Sequence, residues 1–158
     1  MPQAIPNSRI YSLLPEEQLI LAADHETQQK HHFRGFQLSF LTLDPATSGV
    51  MGELSKECEK RLERLASTAT SMQISDGVRV GEAHNAIPAE IRRQHTFVVN
   101  DDKAQQVLSQ ALSVADHSLN FHELLLKSCS TPAMADLLRQ FVEQKHCAYQ
   151  IIKELRER

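Results

Sequence analysis

The 158-residue chain contains no tryptophan, only five glycines, and aromatic residues at 5%. Little here suits pleated strands, whereas Leu, Ala, Glu, Gln, Lys and Arg are abundant, which is the composition of helices. Cysteine is scarce too. Cys58, Cys129 and Cys147 are an odd number with no CxxC spacing, which excludes a disulfide framework and a thioredoxin-type motif and reads as reduced thiols in a cytoplasmic protein. Neither sign of charge dominates: the net charge is −3 and the charges are mixed, so no electrostatic footprint points to nucleic acid or an anionic membrane. No apolar run reaches membrane-spanning length, and Met1 to Leu14 lacks the apolar core of a signal peptide. A Gly-rich phosphate loop, a nucleophile elbow and a recognisable Ser/His/Asp arrangement are all missing. A single domain over residues 1–158, all-α, is the expectation.

What the chain does have is helical periodicity, part of it repeated. Pro45-Ala46 and Pro132-Ala133 open two segments, and the same offset of 87 residues carries Met51 onto Leu138, Leu54 onto Phe141, Leu62 onto Tyr149 and Leu65 onto Ile152. The first predicted helix, about 15–43, starts at Pro15 with Glu16 and Glu17 near the positive end of its dipole. Its inner stripe is Leu21, Ala22, His25, Gln29, His32, Phe36, Phe40 and Leu43. The second, about 45–74, is capped by Asp44 and buries Met51, Leu54, Cys58, Leu62, Leu65, Ala69 and Met72. The third, about 102–129, presents Leu108, Ala111, Ala115, Ser118, His122 and Leu125. The fourth, about 132–156, is capped by Thr131 and turns Met134, Leu137, Leu138, Phe141, Lys145, Ala148, Ile152 and Leu155 inward.

Between the second and third helices, residues 75–100 are too many for a tight turn. They carry a short helical stretch near Ala89 to Arg93, and Val78, Val80, Ile87, Ile91, Phe97 and Val98 are apolar enough to pack. A stretch of this length can run back along helices of about 40 Å, so that the second and third helices are parallel. Two antiparallel hairpins joined by one long crossover is the connectivity of ferritin-like bundles; an up-down-up-down bundle with a loose middle loop is the alternative.

From Pro15 to Leu155 the chain resembles the rubrerythrin-like branch of the ferritin-like superfamily, through the Asp/Thr-Pro starts of its second and fourth helices and the apolar register that follows. That resemblance implies a four-helix bundle in which each half supplies an inward Glu from its first helix and a Glu-x-x-His pair from its second, around two irons. Residue by residue, the ligand positions fall on Gln29, on Cys58 and Arg61, on Ala115 or Ser118, and on Lys145 and Ala148. The one literal Glu-x-x-His, Glu143 to His146, lies off the inner stripe by the helical wheel, at about 100° per residue, and reads as a solvated face.

A second constellation is His25, Gln29 and His32 on the first helix, Ser118 and His122 on the third, and Cys58 and Lys145 facing them. Counting equal distances from the helix ends brings His25 and His122 to one level. Imidazoles and a thiolate suit iron, zinc or copper, so His25, His32, His122 and Cys58 are the candidate metal ligands; buried polar residues bonded to one another or to water are the plainer alternative. Cys58 near Arg61 is also a conceivable nucleophile. Three functions follow. The leading expectation is a non-catalytic binding or structural module that has lost the di-iron site, without cofactor, forming a homodimer through outer helix faces. The second is a metal-binding or redox protein built on the His-rich centre, with iron or zinc. The third is a small organic ligand held inside the bundle, with Lys145 or Arg61 meeting an anion.

Overall fold

Three of the four long helices begin with proline, whose fixed φ suits a first helical residue and whose missing N–H costs nothing there. The computed structural model describes residues 13–74 and 87–158. Helix α1 spans Pro15–Phe40, α2 Pro45–Ser71, the short α3 Ala89–Arg92, α4 Asp101–Lys127 and α5 Pro132–Glu157. No strand occurs among the described residues. None of the helices among them is long and apolar enough to cross a membrane.

The caps follow the side chains available. Asp44 accepts hydrogen bonds from the Thr47 amide at 3.1 Å and the Thr47 hydroxyl at 2.6 Å, and these bonds lower its carboxyl pKa, the hydroxyl's most. Asn100 accepts from the Lys103 amide at 2.8 Å. Thr131, expected to cap α5, makes no such bond. Helix α1 also ends earlier than its periodicity suggested. The Asp44 amide reaches back to the Phe40 carbonyl at 3.0 Å, so residues 41–43 form a turn and Leu43 is exposed rather than part of the inner stripe. Gln73, at φ 60°, enters the left-handed region and closes α2 before residue 74.

Cross-helix contacts set the directions. Gln18 bonds to Ser128 and His25 to Ser118, so α1 and α4 are antiparallel. Arg61 bonds to Gln144 and Arg64 to Gln140, so α2 and α5 are antiparallel. Because α1–α2 and α4–α5 are hairpins, α2 and α4 run the same way. Of the segment expected to cross over, residues 87–100 are described. Ile87 and Val98 are buried, but Phe97 is 63% exposed, against expectation. The expected packing of Val78 and Val80 lies outside the described residues.

The core is layered along the helices. One apolar cluster gathers Phe33, Phe36, Phe40, Met51, Leu54, Leu108, Ala111 and Ile152; the other gathers Leu19, Leu62, Leu65, Leu125, Met134, Leu138 and Phe141. The repeated positions Met51/Leu138, Leu54/Phe141 and Leu65/Ile152 are all buried, while Tyr149, opposite Leu62 in the repeat, is half-buried. Between the two clusters lies a polar layer.

The crossover is seated on α1 at Gly35. A Cβ there would fall 2.5 Å from the His95 ring, and the Val98 amide bonds to the Ser39 carbonyl at 2.9 Å just beyond. A Cβ at Gly49, by contrast, would meet nothing within 4 Å. Gly35→Ala is therefore expected to destabilise the chain by about 1–3 kcal/mol through overpacking, and Gly49→Ala to stabilise it by about 0.5–1 kcal/mol through helix propensity. Urea unfolding of the two variants checks the opposite signs.

Candidate functional site

The polar layer is organised by Glu26, a carboxylate with no exposed surface. Each of the other long helices sends it one nitrogen. Arg61 of α2 donates through Nε to Oε2 at 2.9 Å, Lys145 of α5 places Nζ 2.8 Å from Oε1, and His122 of α4 places Nε2 3.1 Å from the same oxygen. The last two approach Oε1 off the line of an aligned hydrogen bond. Burial by itself would push the Glu26 carboxyl up; the charges of Lys145 and Arg61 together overturn that and hold it well below the usual carboxylate range.

The remaining bonds orient the cations. Arg61 donates to the Gln144 side-chain oxygen at 3.1 Å and to Cys58 Sγ at 3.3 Å. Burial disfavours its charge, yet Glu26 and Cys58 together outweigh this and raise its pKa. His122 donates through Nδ1 to the Ser118 carbonyl at 2.8 Å, which fixes its ring. His25 shares a 2.8 Å hydrogen bond with Ser118 Oγ and stacks on Phe121 with ring centroids 4.1 Å apart.

The candidate metal ligands do not converge. His25 and His122 are neighbours, with ring centroids 5.3 Å apart and edge to face, as their common level predicted. His32, however, is only half-buried and points to His95 of the crossover, with Nδ1 3.2 Å from Nε2. Cys58 is turned to Arg61, and burial, reinforced by the Glu26 charge, pushes its thiol up to about 11. A protonated thiol is neither a good ligand nor the nucleophile its neighbour Arg61 suggested. Among the described residues no group of three or more His, Cys, Asp or Glu side chains could hold a metal ion. Glu143 and His146 are both exposed.

Of the positions the resemblance assigns to iron ligands, all but Cys58 lie around one void. Gln29, Arg61, Ala115, Ser118, Lys145 and Ala148 line one internal void of about 10 Å³, on the order of a single water. Gln29 Oε1 is buried beside it without a partner. Two irons need several anionic oxygens; here one carboxylate is already committed to an ammonium and a guanidinium, so the residues present do not fit a di-iron centre. An organic ligand needs several hundred cubic ångströms, which this void does not offer. The larger hollow, about 900 Å³, is an open groove between α2 and α5 with Arg61 at its floor and Val50, Leu54, Ala148 and Ile151 on its walls. No family model, curated protein sequence or solved structure matches the chain.

Glu26 is the residue that sequence reasoning missed, because a buried carboxylate breaks the apolar pattern used to find the inner face. A signal existed. Leu19, Ala22, Glu26, Phe33, Phe36 and Phe40 recur at helical spacings, and two inward cations, Arg61 and Lys145, require an anion opposite them.

Two outcomes follow from this layer. Glu26→Gln strands both cations in the core and is expected to cost about 3–5 kcal/mol, whereas Lys145→Met leaves one carboxylate against one guanidinium and is expected to change stability by no more than about 1.5 kcal/mol, in either direction. Denaturant unfolding of both variants measures the asymmetry. The histidines set the acid limb. Burial, then the nearby His122, pulls His25 down to about 3, and burial, then His32, pulls His95 down to about 4. Both are held neutral in the fold but titrate near 6.5 when unfolded, so the stability they contribute is complete above about pH 6.5 and is lost as pH falls toward 4 and then 3. The urea midpoint should fall between pH 7.5 and pH 5, and fall less in His25→Gln; an unchanged midpoint at pH 5 would contradict this.

Proposed function

We propose that the chain is a ferritin-like four-helix module in which a fixed ion cluster stands where that superfamily holds its di-iron centre, and that it works as a binding or structural module, not an oxidase. One observation carries this reading. Of the positions that the resemblance assigns to ligands, Gln29, Arg61, Ala115 or Ser118, Lys145 and Ala148, on four different helices, line a single void in the core, and only Cys58 does not. The helix directions, with α2 and α4 parallel and a long crossover between them, support the same connectivity.

Chemically, the cluster is built to hold helices. Lys145 and Arg61 supply in covalently anchored form the positive charge that metal ions would bring, and Glu26 neutralises part of it without a coordination site. Self-association is the expected use of the outer faces. Leu38, Leu41, Leu43, Phe97 and Val99 are all more than 40% exposed, and they lie along the end of α1 and the segment bonded to it at Ser39. Apolar side chains collected in this way mark an interface, and a second copy of the chain is the occupant proposed.

The test uses untagged protein given ferrous iron under nitrogen and then desalted. The expected result is no retained iron, no acceleration of ferrous oxidation by dioxygen, and a dimer by sedimentation velocity that Phe97→Ser weakens. Iron held in stoichiometric amount and lost on His122→Ala would overturn the metal-free reading, and a monomer at every concentration would overturn the dimer.

A further inference from the structure

His95 was not among the sequence candidates, yet its side chain is held on several sides. Its ring lies in the notch that Gly35 leaves on α1 and meets Phe36 edge to face, with centroids 4.5 Å apart. Its Nε2 is 3.2 Å from His32 Nδ1, while its Nδ1 is buried and has no partner. Burial, then the neighbouring His32, lowers the His95 pKa to about 4, and burial lowers that of His32. Both rings are thus neutral at physiological pH, the form in which imidazole ligates metal.

The distance is informative. Two nitrogens bound to one tetrahedral metal at about 2.0–2.1 Å are about 3.3 Å apart, close to the separation found here. A single hydrogen bond accounts for that distance as well, but the two readings differ in the protons. With His95 carrying its proton on Nδ1, its Nε2 already offers a lone pair toward His32. Moving the His32 proton from Nδ1 to Nε2 supplies the second lone pair, with no net proton released. The pair also borders a surface hollow of about 510 Å³ shared with Gln94, Gln110, Ser113 and Val114, which leaves room for water in the other coordination positions.

We propose that His32 and His95 form a site for one divalent first-row cation of the zinc, nickel or copper class, completed by water, that pins the crossover to α1. These metals favour imidazole nitrogen. The site is separate from the Glu26 cluster and does not rest on the ferritin-like reading: it joins a helix to the crossover at the edge of the fold, and it uses His32 with a partner other than the inward histidines.

The experiment titrates ZnCl₂ into the untagged full chain at pH 7.5, followed by calorimetry and by the melting temperature. The expected result is one zinc per chain with a rise in melting temperature, an affinity reduced at least about tenfold in both His32→Gln and His95→Gln, and no change in His25→Gln. Absence of binding in the wild type, retention of affinity in either His32→Gln or His95→Gln, or its loss in His25→Gln would each overturn the proposal. Should a variant fail to fold, electron paramagnetic resonance of the wild type with one equivalent of Cu²⁺ decides: coupling to two imidazole nitrogens supports the site, and coupling to one or none overturns it. Iron retained at the centre in the preceding test would leave this result unaffected, so the two proposals fail separately.

Discussion

Everything in the core is arranged around the charge of Glu26. A carboxylate without solvent contact is tolerable only if cations are delivered to it, and here they come from α2 and α5, with a histidine from α4 beside them. Each long helix contributes one member. Sliding α1, α2 or α5 by one turn, about 5.4 Å, would leave a buried charge alone. The two apolar clusters on either side impose no such demand, since aliphatic cores accept repacking at modest cost. The polar layer is thus the element that sets the register of one hairpin against the other, and the apolar clusters supply most of the burial.

The same layer explains why metal chemistry does not follow from the abundance of histidine. Of the inward imidazoles, His122 is tied to the Ser118 carbonyl and faces Glu26, and His25 is tied to the Ser118 hydroxyl and stacked on Phe121. The His25 bond holds α1 to α4, and the His122 bond fixes its ring within α4. Cys58 is kept as a thiol by burial and accepts a bond from Arg61. The His32–His95 pair differs in kind. It faces a hollow at the surface, and its members come from a helix and a connecting segment.

Much of the architecture was legible in the sequence, for local reasons. Prolines at 15, 45 and 132 and the cap Asp44 place three helix starts, because capping and proline geometry act within a few residues. Lys145 and Arg61 were readable as inward by the register of Leu138, Phe141, Leu62 and Leu65. The errors were also local. Leu43 continues the helical period but belongs to a turn, and Thr131 is a good capping residue whose side chain makes no capping bond. The pairing of His32 with His95 spans 63 residues, and no spacing rule reaches across a crossover.

By itself the sequence determined an all-helical chain with four long amphipathic segments, their approximate limits, and a set of polar residues turned inward, since these depend on periodicity and near neighbours. It could not determine which polar residues share a partner. That Glu26 rather than Gln29 collects the cations, that His32 leaves the centre while His122 stays, and that Cys58 is a thiol were decided only by the tertiary structure, because burial, Coulomb attraction and hydrogen-bond distance depend on which helices are brought together and at what depth.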